Sequence, residues 1–312
     1  RFDMGVCGSV GDPAVAANPP EFELVSGVPL VATTSQLEFS PEPVAANPPE
    51  FELVSGVPPV AATSQFEFSP EPILDESGIN MVLNKAKLDM GYDATSIDFA
   101  PRDKAIRFVM VIDGHVHCLA QSFFQQSEGY NDFSGGFRRF YNPVDDDIFR
   151  GVLSPVVMKF MHHHNLAERT IILAQIQRST FAPSKKFQTV TGQGIHTDGA
   201  DSAMLVCLER GEGVRGALNE FHGELDGSDP LCDPTILRPG FAVTWKDNEI
   251  YHRVTPAAGS SDKDNTRTVL LLHAPAEHYL IGSSNPNNAL TANKSSKKQA
   301  GREDIVHACS HV

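Results

Sequence analysis

The chain has 312 residues, 41% of them hydrophobic, and a formal net charge of −14. That apolar content suffices for a buried core, while the acidic balance argues against a general nucleic-acid or anionic-membrane binder, both of which need basic patches. No apolar run approaches the roughly 18 residues needed to span a bilayer, and the 5 cysteines include no Cys-x-x-Cys pair that would suggest a disulfide or zinc framework. A reducing, cytoplasmic setting is therefore expected. The first residue is Arg1, which reads as a processed or truncated start, and no signal-peptide pattern follows it.

In chain order, residues 15–43 return almost unchanged as 44–72, Val15 to Pro29 reappearing as Val44 to Pro58. Two copies are too few for a solenoid. Their prolines and acidic residues predict a flexible or loosely docked extension over 1–74, in which each copy could alternatively offer a Phe-Glu-Leu-Val strand. A main domain is expected over 75–282 and a polar, Asn-, Ser- and Lys-rich tail over 283–312. Ser77–Met90 reads as a helix with Asp75 or Ser77 available to cap it. Arg150–Asn165 reads as a second, with Val152, Val156, Val157 and Phe160 at helical spacing. Short apolar runs at Ala105–Ile112, Thr170–Gln177, Ala203–Leu208, Phe241–Trp245 and Val269–Leu272, with turn residues between them, read as strands. The result is a mainly β domain with flanking helices.

The chemistry concentrates in His196-Thr-Asp198, His252 and Arg267. On a strand, His196 and Asp198 would point the same way. Two imidazoles and one carboxylate on one face of a six-coordinate metal form the facial triad of non-haem Fe(II) oxygenases. Arg267 opens an apolar run, where a lone cation would need a carboxylate, and its planar fork suits the distal carboxylate of a 2-oxo dicarboxylic acid.

Bland readings exist for each of these residues. In a chain with 12 histidines, a lone His-x-Asp is usually a surface pair, and Arg267 could be a strand-edge ion pair. His222-Gly-Glu224 repeats the same ligand chemistry, but it lies in the charged, glycine-containing stretch Asn219–Asp229, which reads as a loop. His162-His-His164 reads as a solvated helix end. Trp245 reads as core that could approach the site, and His273 as a pocket residue without a ligand partner at useful spacing. Gln126, Asn131 and Arg139 could grip a substrate carboxylate and amine; equally, Asn131 with Gly135-Gly136 could shape a turn.

Gly194-Ile-His-Thr-Asp-Gly-Ala-Asp201 resembles the metal-binding strand of the iron(II)/2-oxoglutarate-dependent dioxygenases. More narrowly, it is similar to the branch of free-amino-acid hydroxylases that includes bacterial L-isoleucine dioxygenase. Phe123 to Asn131 with Gly135-Gly-Phe-Arg-Arg139, and Asp247 to His252 leading to Thr255-Pro256, resemble two further blocks of that branch, and the likeness covers roughly residues 100 to 280. Thr197, Gly213 and Ala217 depart from its usual pattern.

The resemblance implies a double-stranded β-helix core, with Fe(II) on His196, Asp198 and His252 and 2-oxoglutarate on Arg267. O2 would be the second co-substrate and a small free amino acid, branched and aliphatic, the substrate. The product would be a hydroxylated amino acid or, as in fungal relatives of the branch, an aziridine, with succinate and CO2 released. Two alternatives remain at this point: a cupin-type metalloenzyme that does not use 2-oxoglutarate, and a non-catalytic scaffold acting through the repeats.

Overall fold

Successive side chains of a strand point to opposite faces of its sheet, and in this chain that alternation separates a helix-covered face from a polar, cavity-lining one. The computed structural model describes residues 65–93, 99–120, 123–126, 135–136, 138–184 and 186–281. The extension up to residue 64, Asn131 and the tail from residue 282 lie outside the described residues.

In chain order the elements are β1 (Phe66–Phe68), α1 (Glu76–Asp89), β2 (Gly91–Tyr92), β3 (Arg102–Ile112), β4 (His115–Cys118), β5 (Phe123–Phe124), β6 (Arg139–Phe140), β7 (Asn142–Pro143), α2 (Asp146–Arg150) and α3 (Ser154–His163). They continue with β8 (Ile172–Thr180), β9 (Ser202–Arg210), β10 (Arg215–Gly216), β11 (Asn219–His222), β12 (Ala242–Trp245), β13 (Tyr251–Val254), β14 (Ala257–Ala258), β15 (Thr266–Ala274) and α4 (Glu277–Ile281).

The main sheet runs β1-β12-β9-β15-β8-β3-β2, with β4 and β7 also paired to β3. Its pairings are antiparallel except β3 with β7. On one face, Ala105, Val109, Ile172, Ala174, Ile176, Met204, Val206, Leu270 and Leu272 form a single core with α1, α2 and α3. On the other, Gln175, Gln177 and Ser179 of β8 and Arg267, Val269, Leu271 and His273 of β15 line a cavity. The short pairs β11–β13 and β10–β14 are separate two-stranded sheets, and Asn219, Phe221 and His252 of the first also line the cavity. β1 lies inside the second repeat copy. Its Phe66 and Phe68 are buried, and both rings pack on Phe221 of β11.

Each expected strand forms, and most extend past their apolar runs because hydrogen bonding continues where the inner face turns polar. For helix α1 the cap is Asp75, which accepts the Gly78 amide at 2.7 Å. The helix expected over Arg150–Asn165 forms as the shorter α3, Ser154–His163, and a separate short helix, α2, precedes it and ends at Arg150 with Gly151 as its cap. Pro155 lacks the amide that a helix interior needs and sits in the first turn of α3, where that amide would be unpaired anyway. At the end of α3, His162 is exposed, whereas His164 meets Thr244 Oγ1 at 2.6 Å.

Candidate active site

His196 and His252 meet across an antiparallel bridge, each donating its amide to the other's carbonyl, at 3.0 and 2.8 Å. Directly opposed residues of such a pair present their side chains on the same face, and the two imidazole centroids are 4.5 Å apart. Asp198 completes the cluster, its carboxylate oxygens 3.6 Å from His196 Nε2 and 3.4 Å from His252 Nε2. The ligand atoms of the three residues all lie within 4.8 Å of one another. The ligand pair is not on a regular strand as the sequence suggested. His196 occupies the bridge, and Asp198 lies in irregular chain before β9. Gly199 follows it at φ +90°, a left-handed turn that favours glycine.

The donor set fits a metal. His196 Nδ1 is 2.9 Å from the Gly194 carbonyl, which fixes its proton there and leaves the Nε2 lone pair beside Asp198. Behind His252 stands Asp247, fully buried, with Oδ1 3.5 Å from His252 Nδ1. Asp247 accepts the Trp245 indole N–H at 3.1 Å and the Gly199 and Ala200 amides at 2.9 and 3.2 Å. One carboxylate therefore fastens the Asp198 turn to the His252 strand. Trp245 is core as expected, and its ring also lies 4.9 Å from His252.

Electrostatics follow from this crowding. Burial works to raise Asp198, but the electrostatic pull of His273 and hydrogen bonds from His196, His252 and His273 hold it well below the usual carboxylate range. Burial works to lower His196, yet Asp198 beside it leaves its pKa raised. Asp247 is pushed up, first by burial and then by the negative Asp198.

Arg267 lies on β15 in the same cavity, 6% exposed, and donates to Asn219 Oδ1 at 3.0 Å. Burial pulls its pKa down, but a guanidinium stays charged at neutral pH. At another part of the cavity wall, Arg139 donates to Gln126 Oε1 at 2.6 Å, and Gln126 Nε2 donates to the Asp198 carbonyl at 3.0 Å. Arg102 and Lys104 line the same cavity. Lys104 is lowered to about 7 by burial and by the neighbouring Arg102, against the pull of Asp93. Asn131 lies outside the described residues.

The stretch expected to be a loop around His222 is in part a strand. Asn219–His222 forms β11 and pairs with β13, setting Phe221 opposite His252 and His222 opposite Tyr251. Its alternation turns Asn219 and Phe221 into the cavity and leaves His222 beside Glu220, outside the His196 cluster. Asn219, Asp247, Gln175, Lys104 and the bonded role of His273 escaped the sequence reading. One signal was available, since Gln175, Gln177 and Ser179 alternate as polar positions along a buried strand. Ala217, one of the departures from the related pattern, holds φ +52°, a left-handed conformation that glycine adopts more readily than alanine.

Residues 90–273 match the family model for 2OG-Fe dioxygenase. A bsmA homologue from Methylobium petroleophilum PM1 aligns at 20% identity and TM-score 0.52, over 63% of this chain and 80% of that one. IDO from Bacillus thuringiensis aligns at 16% identity and TM-score 0.52, over 67% of this chain and 89% of that one. Likeness at these identities speaks for the fold, a double-stranded β-helix, and a search of curated proteins finds none that matches. With more than half its length inside the family model, the chain belongs to the 2OG-Fe dioxygenase family and is an oxygenase that uses Fe(II), 2-oxoglutarate and O2.

Proposed function

We propose that His196, Asp198 and His252 hold Fe(II), that Arg267 binds 2-oxoglutarate, and that the substrate is a small free amino acid with a branched aliphatic side chain. The observation that carries this reading is the convergence of three metal-ligating side chains and one buried arginine on a single cavity. Asn219 Oδ1 aims the Arg267 fork, which is then set to pair with the distal carboxylate of the co-substrate. Iron, once bound, supplies the activation of dioxygen, and the protein supplies orientation and exclusion of water.

The cavity supports an amphipathic acid as substrate. Arg139, Lys104 and Arg102 offer positive charge to a carboxylate, with Arg139 steadied by Gln126. Leu205, Phe221, Val269 and Leu271 offer apolar wall to an aliphatic side chain. The reaction is oxidation of an unactivated C–H bond, ending in hydroxylation or in closure of an aziridine ring, with succinate and CO2 released.

The test is a succinate-release screen over free amino acids, with mass analysis of the products. The expected result is release with branched aliphatic amino acids, the product having gained an oxygen atom or lost two hydrogens. Release with none of them would contradict the substrate assignment.

A further inference from the structure

A chain of hydrogen bonds crosses three adjacent strands of the main sheet and ends on Asp198. Lys104 Nζ on β3 donates to Gln175 Oε1 on β8 at 3.0 Å. Gln175 Nε2 lies 3.3 Å from His273 Nδ1 on β15. His273 Nε2 lies 2.9 Å from Asp198 Oδ2. All four residues line the cavity, and Lys104, Gln175 and His273 are 4%, 6% and 1% exposed.

The polarity of this chain is fixed from both ends. Lys104 Nζ donates to Gln175 Oε1, and in its protonated form it can only donate, so Gln175 turns its oxygen toward Lys104 and its NH2 toward His273. An ionised carboxylate only accepts, so His273 must carry its proton on Nε2, which leaves the Nδ1 lone pair to accept from Gln175. The two requirements meet at the imidazole without conflict. They specify one tautomer of His273 and one amide orientation of Gln175.

We propose that His273, Gln175 and Lys104 are positioning residues that commit Asp198 Oδ2 to the protein and set the carboxylate's rotation for metal binding, resting on the assignment of Asp198 as a ligand. His273 makes the direct contact. Gln175 holds the ring in its donating tautomer, and Lys104 holds the amide. Outer partners of this kind typically contribute 10–100-fold to metal affinity. The chain also ties the ligand to the cationic part of the cavity wall, so the carboxylate is oriented from the substrate's side of the site, while Asp247 steadies His252 and the backbone after Asp198.

The test is calorimetric titration of the full chain with Co(II) in the absence of dioxygen, together with the visible spectrum of the bound Co(II). His273→Phe is expected to weaken Co(II) binding by about 10–100-fold, and Gln175→Leu by about 10-fold, both with a changed visible spectrum. His273→Gln, which keeps an N–H donor and a carbonyl acceptor at similar reach, is expected to recover most of the affinity. Lys104→Met is expected to shift affinity the same way by less. Wild-type affinity and spectrum in both His273→Phe and Gln175→Leu would overturn the proposal, as would equal losses in His273→Phe and His273→Gln when both fold as judged by circular dichroism. His252→Ala separates the two levels. Undiminished Co(II) binding there would overturn the metal site itself, whereas its loss alongside unaffected His273 and Gln175 variants would overturn the positioning chain alone.

Discussion

Asp247 faces His252 Nδ1 at 3.5 Å with one carboxylate oxygen, while the other accepts the amides of Gly199 and Ala200. The turn after Asp198 and the strand bearing His252 are thus held to one buried side chain, so the cluster's geometry depends on a residue that need not touch a metal. Asp247→Leu would leave two backbone amides and the Trp245 indole N–H buried without a partner, each costing about 1–3 kcal/mol. We expect a loss of several kcal/mol in chemical denaturation, with Asp247→Asn, which keeps one carbonyl oxygen, losing less. Equal stability of the Leu variant and the wild type would contradict this role.

Arg267 should separate co-substrate binding from metal binding. Truncating one partner of a buried charge pair costs about 2–5 kcal/mol, so Arg267→Ala is expected to raise the KM for 2-oxoglutarate by about 100-fold or more while Co(II) affinity stays at the wild-type level. Arg267→Lys keeps the charge without the planar fork and should fall between. An unchanged KM in Arg267→Ala would instead favour a metalloenzyme that does not use the co-substrate.

How much of this site was legible in the sequence depends on which interactions run along the chain. His196, Asp198, His252 and Arg267 could be chosen because ligand chemistry, strand-like runs and family resemblance agreed at those positions. The long strands could be placed because their inner cores are apolar. The bridge between His196 and His252 was not legible, since it is made by backbone groups far apart in sequence. Nor was the chain from Lys104 to Asp198, whose members become neighbours only through the strand order β15-β8-β3. The reading of His222 as a loop residue failed because β11 is short and charged, and its pairing to β13 overrides its weak local strand signal.

Lys104 carries a pH signature. Its pKa falls from 10.5 to about 7 on folding, chiefly through burial. Below about pH 7 the folded and unfolded chains both hold the proton, and the cost of burying the charge is fully present. Between about 7 and 10.5 only the unfolded chain holds it, so this contribution makes stability rise with pH across that window. Lys104→Met removes the titration. Its stability relative to wild type should be most favourable below pH 7 and should decline by a few kcal/mol as pH approaches 10.5. A difference that is flat with pH in urea denaturation would contradict the assignment.

His164 predicts the opposite limb. Thr244 Oγ1 donates to the Ala203 carbonyl at 3.0 Å and so accepts from His164 Nε2. Burial, with His163 beside it, lowers His164 from 6.5 to about 4. The neutral ring's contribution is full above pH 6.5 and is lost as pH falls toward about 4, because the unfolded chain takes up the proton first. His164→Gln keeps a donor for Thr244 and does not titrate, so its Tm should fall less steeply than the wild type's over that range. Parallel Tm curves for the two proteins would show that His164 does not contribute.

We propose that one cavity holds Fe(II) on His196, Asp198 and His252 with 2-oxoglutarate paired to Arg267. The most direct measurement is the visible absorption of the full chain titrated with Fe(II) and 2-oxoglutarate under anaerobic conditions. The expected result is a weak charge-transfer band that requires both additions, disappears in His196→Ala and His252→Ala, and in Arg267→Ala forms only at much higher 2-oxoglutarate. Absence of the band in the wild type, or its persistence at full strength in His252→Ala, would contradict the proposal.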